Sequence, residues 1–256
     1  MNTLTVSTFN TLANQCADNS EFGFPSVDPC FLDWNYRKSL IVDLIESDIV
    51  CLQEVDKWEE LEHELSLKGY EGKWHSGQQN ISNDSVVTRH GCAIVWKKSL
   101  FKFRGFNCLQ YEDSSQVYLT VILDRVSDGK TIKITTTHLK SKKPFAEKRL
   151  LQIQELLSNE QSFTIPSIVL GDFNATPNEL CIKSMAKSFT QASFDTDRTT
   201  IKLRKDVTSH IIDYVWYRDL HLVETSYQPK GEIPHPYLPS ATHPSDHFML
   251  TARFDL

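Results

Sequence analysis

Apolar residues in this 256-residue chain come in short, strand-length runs, and run after run stops at a polar or ionisable side chain. Residues 3–9 (TLTVSTF) alternate in polarity and predict a strand ending at Asn10. Residues 49–53 predict a second, ending at Glu54. Strands are expected at about 92–97, 117–124 and 131–138, the last ending at His138. Residues 165–170 run into Gly171-Asp172, with Asn174 just beyond. Asp213 lies inside a strand over 211–217, and Ser245-Asp246-His247 precedes one over 248–254. Between these runs, Leu40, Ile41, Leu44 and Ile45 predict a helix over 34–47 with Asp33 as its N-cap. Further helices are expected over 57–68, over 145–158 after Pro144, and from about Asn178. The polar stretch 76–90 and the stretch 226–246, with five prolines, read as loops. Strand-like sequence resumes directly after each, so one domain over 1–256 is expected. Strand–helix alternation on its own predicts an α/β protein with a doubly wound sheet.

The same short runs exclude a membrane-spanning helix, which needs roughly 20 apolar residues. Strand-like sequence begins almost at Met1, without a secretory or transit pattern, so a cytoplasmic protein is expected. Six cysteines at 16, 30, 51, 92, 108 and 181 have no paired spacing, and read as reduced thiols rather than a zinc knuckle or disulfide framework. Lys+Arg 27 against Asp+Glu 33 leaves a formal charge of −6, which argues against a grip on long nucleic acid.

If the strand ends share one sheet edge, their polar groups converge where many α/β enzymes bind ligands. Glu, Asp and Asn supply oxygen donors suited to Mg²⁺ or Mn²⁺, and the absence of cysteine disfavours structural zinc. Histidines and amides donate to a phosphate whose charge grows in the transition state, and a carboxylate orients or deprotonates water. Together they describe metal-assisted phosphoester hydrolysis. Each residue alone has a plainer reading: a Glu after a strand is usually a solvated turn, an Asp after Gly a turn former, and Trp216 and Tyr217 core. Those readings leave unexplained why such residues recur at one strand end after another.

STFN, CLQEVD, THLKSK, LGDFNATP, HIIDYVWY and HPSDHF follow one another in an order and spacing that resembles the endonuclease/exonuclease/phosphatase superfamily over essentially the whole chain. Within it, TTIKLR (199–204) and the LPS…PSDH ending resemble the branch of carbon catabolite repressor-type deadenylases and nocturnins. The resemblance implies an α/β (α+β) fold of another kind, a two-layered β-sandwich flanked by helices with its site at one end. It implies Glu54 as the main metal ligand, Asn10 beside it directly or through water, and Asp246 on a second ion, so one or two Mg²⁺ (or Mn²⁺) ions. By the same resemblance Asp172 positions or deprotonates the attacking water, Asn174 holds the scissile phosphate, His138 and His247 stabilise its oxygens, and Asp213 orients His247. Lys140, Lys142, Arg204 and His210 fall at positions implied to contact the nucleotide.

There are departures. No lysine stands where the branch has one after Gly69-Tyr70-Glu71-Gly72, residues 76–90 match poorly, and Lys142 replaces an arginine, which removes a two-pronged phosphate contact. The implied substrate is a small adenine nucleotide, NADP(H) losing its 2′-phosphate, or else the 3′ end of RNA shortened as by a deadenylase. A catalytically inactive binding module would not need the full set of site residues. No membrane and no obligate protein partner is expected.

Overall fold

In the computed structural model, residues 3–21, 23–77, 90–112, 114–160, 165–204, 206–229 and 237–256 are described. The first part of the chain contributes β1 (Thr3–Asn10), α1 (Pro29–Leu32), α2 (Trp34–Leu44), β2 (Ile49–Val55), α3 (Trp58–Leu67), β3 (Tyr70–His75) and β4 (Gly91–Lys97). The middle adds β5 (Phe101–Gln110), β6 (Val117–Arg125), β7 (Thr131–His138), α4 (Ala146–Glu160), β8 (Ser167–Asp172) and α5 (Leu180–Met185). The last part adds β9 (Thr190–Gln191), β10 (Thr200–Leu203), β11 (Val207–His210), β12 (Asp213–Arg218), β13 (His221–Gln228) and β14 (Met249–Asp255).

Two six-stranded sheets form, ordered β13-β14-β1-β2-β4-β3 and β5-β6-β7-β8-β12-β9, with β10-β11 as a separate hairpin. Each large sheet contains one parallel pair, β1–β2 or β7–β8, and every other pairing is antiparallel. A parallel pair needs a crossover, and α2 and α4 supply the two. The four parallel strands therefore end on the same side of their crossovers, at Asn10, Val55, His138 and Asp172.

The sheets pack face to face through Val6, Ile49, Cys51 and Ile94 on one and Leu119, Val121, Ile134, Ile168, Leu170 and Val215 on the other. The opposite faces carry helices: Val50 and Leu52 meet Ile41, Ile45, Leu61 and Leu65, while Val169 and Trp216 meet Ile153, Leu156, Ile182 and Met185. Strands covered on both faces carry near-continuous apolar runs. Truncating Ile134 or Leu170, both fully buried, to alanine costs about 2–5 kcal/mol at such sites.

The fold is the sandwich that the resemblance implies, not the doubly wound sheet suggested by alternation alone. Strand–helix–strand units occur in both architectures, so alternation cannot distinguish them. The helix expected over 34–47 stops at Leu44, and the strand expected over 211–217 starts at Asp213. β3, β5, β13 and the β10–β11 hairpin were not anticipated. β5 and β13 are largely exposed edge strands, so they lack a strong apolar pattern. β13 occupies the start of the expected loop 226–246, whose residues 230–236 lie outside the described residues, as do 78–89 of the loop 76–90. All six cysteines are free, and among the described residues no helix is long and apolar enough to cross a membrane.

Candidate active site

His138, Asp172 and Asp213 stand opposite one another in adjacent strands, so the ladder of one sheet aims all three at the same side. Gly171 permits this approach, because a Cβ there would lie 2.1 Å from the Thr137 carbonyl oxygen. The other sheet supplies Asn10 and Glu54. The strand ends thus meet across two sheets, a correction to the single shared edge considered from the sequence.

Glu54 reaches the site through a break in its strand. Ile49 and Cys51 face the opposite sheet while Val50 and Leu52 face the helices, so regular alternation would send Glu54 to the helix side. Between Leu52 and Val55 the pairing with β4 slips, and Glu54 takes a φ of 58°. Such a bulge re-aims a side chain, at the cost of a left-handed conformation in a residue other than glycine. Behind it, Gln53 spans the sandwich, accepting from Thr8 Oγ1 (3.2 Å) and donating to Thr136 Oγ1 (2.9 Å).

Asp172 is the hub. Asn10 Nδ2 donates to its Oδ2 and to Glu54 Oε1, both at 3.0 Å. Nε2 of His138 lies 3.6 Å from the same Asp172 oxygen, and Nε2 of His247 3.7 Å. The Asn174 N–H donates to Asp172 Oδ1 (2.8 Å), and Asn174, at φ 49°, turns Nδ2 to the Leu139 carbonyl (3.1 Å). His247 Nδ1 lies 3.0 Å from Asp213 Oδ2, which also accepts from Thr199 Oγ1 at 2.6 Å. The Thr199 oxygen in turn accepts the N–H groups of Ile212 and Asp213 at 3.0 Å. A hydrogen-bonded chain, Thr199–Asp213–His247, results, with the Asp172 carboxylate 3.7 Å beyond it.

The electrostatics follow from this crowding. Burial alone would raise the Glu54 carboxyl, but the rings of His138 and His90, the Asn10 amide and the Ala13 N–H outweigh it and hold the group at about 2. Burial opposes a charge on His247 as well, yet Asp213 and Asp172 push it well above the ordinary histidine value.

Glu54, His138 and Asp172 offer ligand atoms that all lie within 4.8 Å of one another, and so do Asp172, Asp213 and His247. The first trio, with oxygen donors and one imidazole, suits a divalent cation. Asp246 belongs to neither trio: its carboxylate lies 3.4 Å from Lys202 Nζ, and its carbonyl accepts from Ile201 N and Thr200 Oγ1, both at 2.9 Å.

The expected nucleotide contacts lie further out. Lys140 is half-buried with its Nζ 5.2 Å from the centre of the Phe145 ring, and Lys142 is exposed. Arg204 and His210 are exposed at the β10–β11 hairpin, whose base is tied to the site by the Thr200–His247 bridge. Sequence reasoning missed His90, whose ring centre lies 5.9 Å from that of His138, and Thr199. The only sequence cue for Thr199 was TTIKLR, read there for its basic residues; His90 follows residues outside the described set and had no cue.

Oxygen-rich strand ends, a histidine–aspartate pair and a helix-flanked sandwich together mark a phosphoesterase. The chain belongs to the Endonuclease/Exonuclease/phosphatase family, whose model matches residues 8–247; these are hydrolases acting on phosphate esters, generally dependent on divalent metal. It is similar to nocturnin from Rattus norvegicus, with 31% identity over 252 residues covering 87% of this chain and 59% of that one. It therefore spans about three-fifths of the length of that relative. The CCR4-Not complex 3′-5′-exoribonuclease subunit Ccr4 of Yarrowia lipolytica is 24% identical over 343 residues, covering 98% of this chain and 48% of that one. The human nocturnin catalytic domain with bound sulfate superposes with a TM-score of 0.77 at 28% identity, covering 98% of this chain and 93% of that one.

Proposed function

We propose that the chain hydrolyses a phosphate ester of an adenine nucleotide with the help of a divalent cation, and that NADP(H), losing its 2′-phosphate, is the substrate class. The observation that carries this reading is the placing of Glu54, His138 and Asp172 within one cation's reach, beside the Asp213-held His247. Glu54 would hold Mg²⁺ or Mn²⁺, leaving Asp172 and the His138 Nε2 beside it free for the reacting groups. When bound, the cation supplies positive charge to the phosphoryl oxygens.

The chain's own groups do the rest. Asp172 orients the attacking water and accepts its proton. His247, fixed by Asp213, donates to a phosphoryl oxygen as charge builds there, and His138 donates from the other side. Asn174 has a second Nδ2 hydrogen to offer the phosphate. Lys140, Lys142, Arg204 and His210 would contact the rest of the nucleotide. The chain's net charge of −6 suits a small phosphorylated ligand better than a long strand.

The resemblance to the Yarrowia exoribonuclease over 98% of this chain favours a second reading, 3′→5′ shortening of poly(A). The same catalytic groups would serve, since either reaction attacks phosphorus. A panel of NADP⁺, NADPH, oligo(A) and 2′,5′-oligoadenylate with Mg²⁺ separates the two. Phosphate release from NADP⁺ or NADPH supports the first. No release from either, with oligo(A) shortened in the same preparation, replaces it with the second.

A further inference from the structure

Arg37 is the least expected charge in the molecule. It sits in the first turn of α2, where a cation opposes the helix dipole, and it is fully buried. Among the described residues no carboxylate is hydrogen-bonded to it. Its Nη1 donates to the carbonyls of Thr11 (3.0 Å), Leu12 (2.9 Å) and Pro244 (3.4 Å), and its Nε to that of Leu32 (3.3 Å), while Nη2 has no hydrogen-bond partner among the described residues. A guanidinium kept this far from water, with Asp56, Asp246, Glu54 and Asp33 acting on it only through space, is costly to bury, so what it holds must be worth holding.

The carbonyls it gathers belong to two segments that carry site residues. After β1 the chain turns sharply, with Leu12 at φ 58°. There the carbonyls of Thr11 and Leu12 point back to Arg37 while the N–H groups of Leu12 and Ala13 point forward. The Leu12 N–H donates to Asn10 Oδ1 and the Ala13 N–H to Glu54 Oε2, both at 3.0 Å. The Leu12 carbonyl and the Ala13 N–H share one peptide plane, as do the Thr11 carbonyl and the Leu12 N–H, so fixing each carbonyl fixes the donor that orients a site side chain. The Pro244 carbonyl anchors the start of Ser245-Asp246-His247, and Ser245 Oγ closes the stitch by donating to the Asn10 carbonyl at 2.7 Å.

We propose that Arg37 is a positioning residue: by holding the Thr11 and Leu12 carbonyls it sets the peptide planes that aim Asn10 and Glu54, and thereby sets the affinity of the Glu54 site for a divalent cation. The inference rests on the metal-dependent reading above. Supporting groups of this kind are worth about 10–100-fold in metal affinity or activity.

The test is calorimetric titration of Mn²⁺ and Mg²⁺ into the substrate-free wild type, Arg37→Lys and Arg37→Met, with circular dichroism and thermal melts as fold controls. Folded variants are expected to bind the cation about 10–100-fold more weakly. The Mg²⁺ concentration for half-maximal hydrolysis should shift by the same factor, while the rate at saturating Mg²⁺ changes less. Arg37→Lys keeps the charge but not the fork, so it should recover only part of the loss. A folded Arg37→Met variant with wild-type cation affinity overturns the proposal. If neither variant folds, amide hydrogen exchange in the wild type decides. Protection of the Leu12 and Ala13 N–H groups comparable to β1 supports the proposal, and open-loop exchange rejects it. A wild type that hydrolyses phosphate esters without binding cation removes the reading above, and the exchange measurement still tests the peptide geometry.

Discussion

The two halves of the site are built by different means. On the β1–β2 side, Glu54 reaches the centre through a bulge at φ 58°, and Asn10 is framed by a turn with Leu12 at φ 58°. On the β8–β12 side, Asp172 and Asp213 stand in plain register, and Asp213 is joined through buried hydrogen bonds to Thr199 and His247. One half stores backbone strain to hold a carboxylate where a cation could reach it. The other uses sheet geometry to hold an imidazole between two aspartates. Strain makes a half sensitive to its supports, whereas register makes the other sensitive to loss of a single hydrogen-bonding group.

The largest effect is expected where the halves meet. Asp172→Asn should lower the rate of phosphate release about 10³–10⁴-fold. The variant should stay folded, checked by circular dichroism, because asparagine matches aspartate in shape. Wild-type-like turnover would detach the site from the chemistry proposed here. Within the register-built half, Asp213→Asn should cost about 10²–10³-fold and leave the Mg²⁺ affinity near wild type, because it loosens His247 but not Glu54. An equal loss of Mg²⁺ affinity would merge the two halves into one unit.

A smaller effect belongs to Thr199→Val, which removes a donor to Asp213 and leaves the N–H groups of Ile212 and Asp213 without their acceptor. About 1–3 kcal/mol of stability should go, read from denaturant midpoints, with activity reduced less than in Asp213→Asn.

The smallest effect at neutral pH is a stability one. Burial lowers His243 to about 4, and the ring contacts the His247 carbonyl oxygen at 2.6 Å. A histidine buried neutral binds fewer protons folded than unfolded between pH 4 and 6.5. Its contribution is therefore complete above about 6.5 and is lost as the pH falls towards 4, about 3 kcal/mol in all. Thermal melts of wild type and His243→Gln should diverge across that window, the wild type being the steeper. Parallel curves would assign the acid sensitivity elsewhere, to the Glu54 half in particular.

How much of this was legible depended on which half a residue belongs to. Asn10, His138, Asp172 and Asp213 each end or begin a strand and Glu54 stands one residue from the end of another, so the recurrence of chemistry-bearing residues at strand ends stood out. Thr199 did not stand out, since a threonine in a polar stretch carries no pattern until its hydroxyl is seen on Asp213. Arg37 was hidden in the same way: on a helix with polar neighbours it reads as solvated surface, and only the segments around Thr11 and Pro244 enclose it. The exposed strands β5 and β13 escaped because edge strands alternate weakly.

Taken alone, the sequence determined that short apolar strands alternate with helices and that oxygen and imidazole donors recur at the strand ends. Side-chain chemistry and periodicity are local, and local information survives in a linear string. Tertiary structure decided that those ends meet across two sheets rather than along one. It also decided that Asp246 faces Lys202, and that a bulge turns Glu54 inward against the parity of its strand. Each of these depends on contacts between residues dozens to hundreds of positions apart. Their free energies come from packing and hydrogen bonding that no single segment contains.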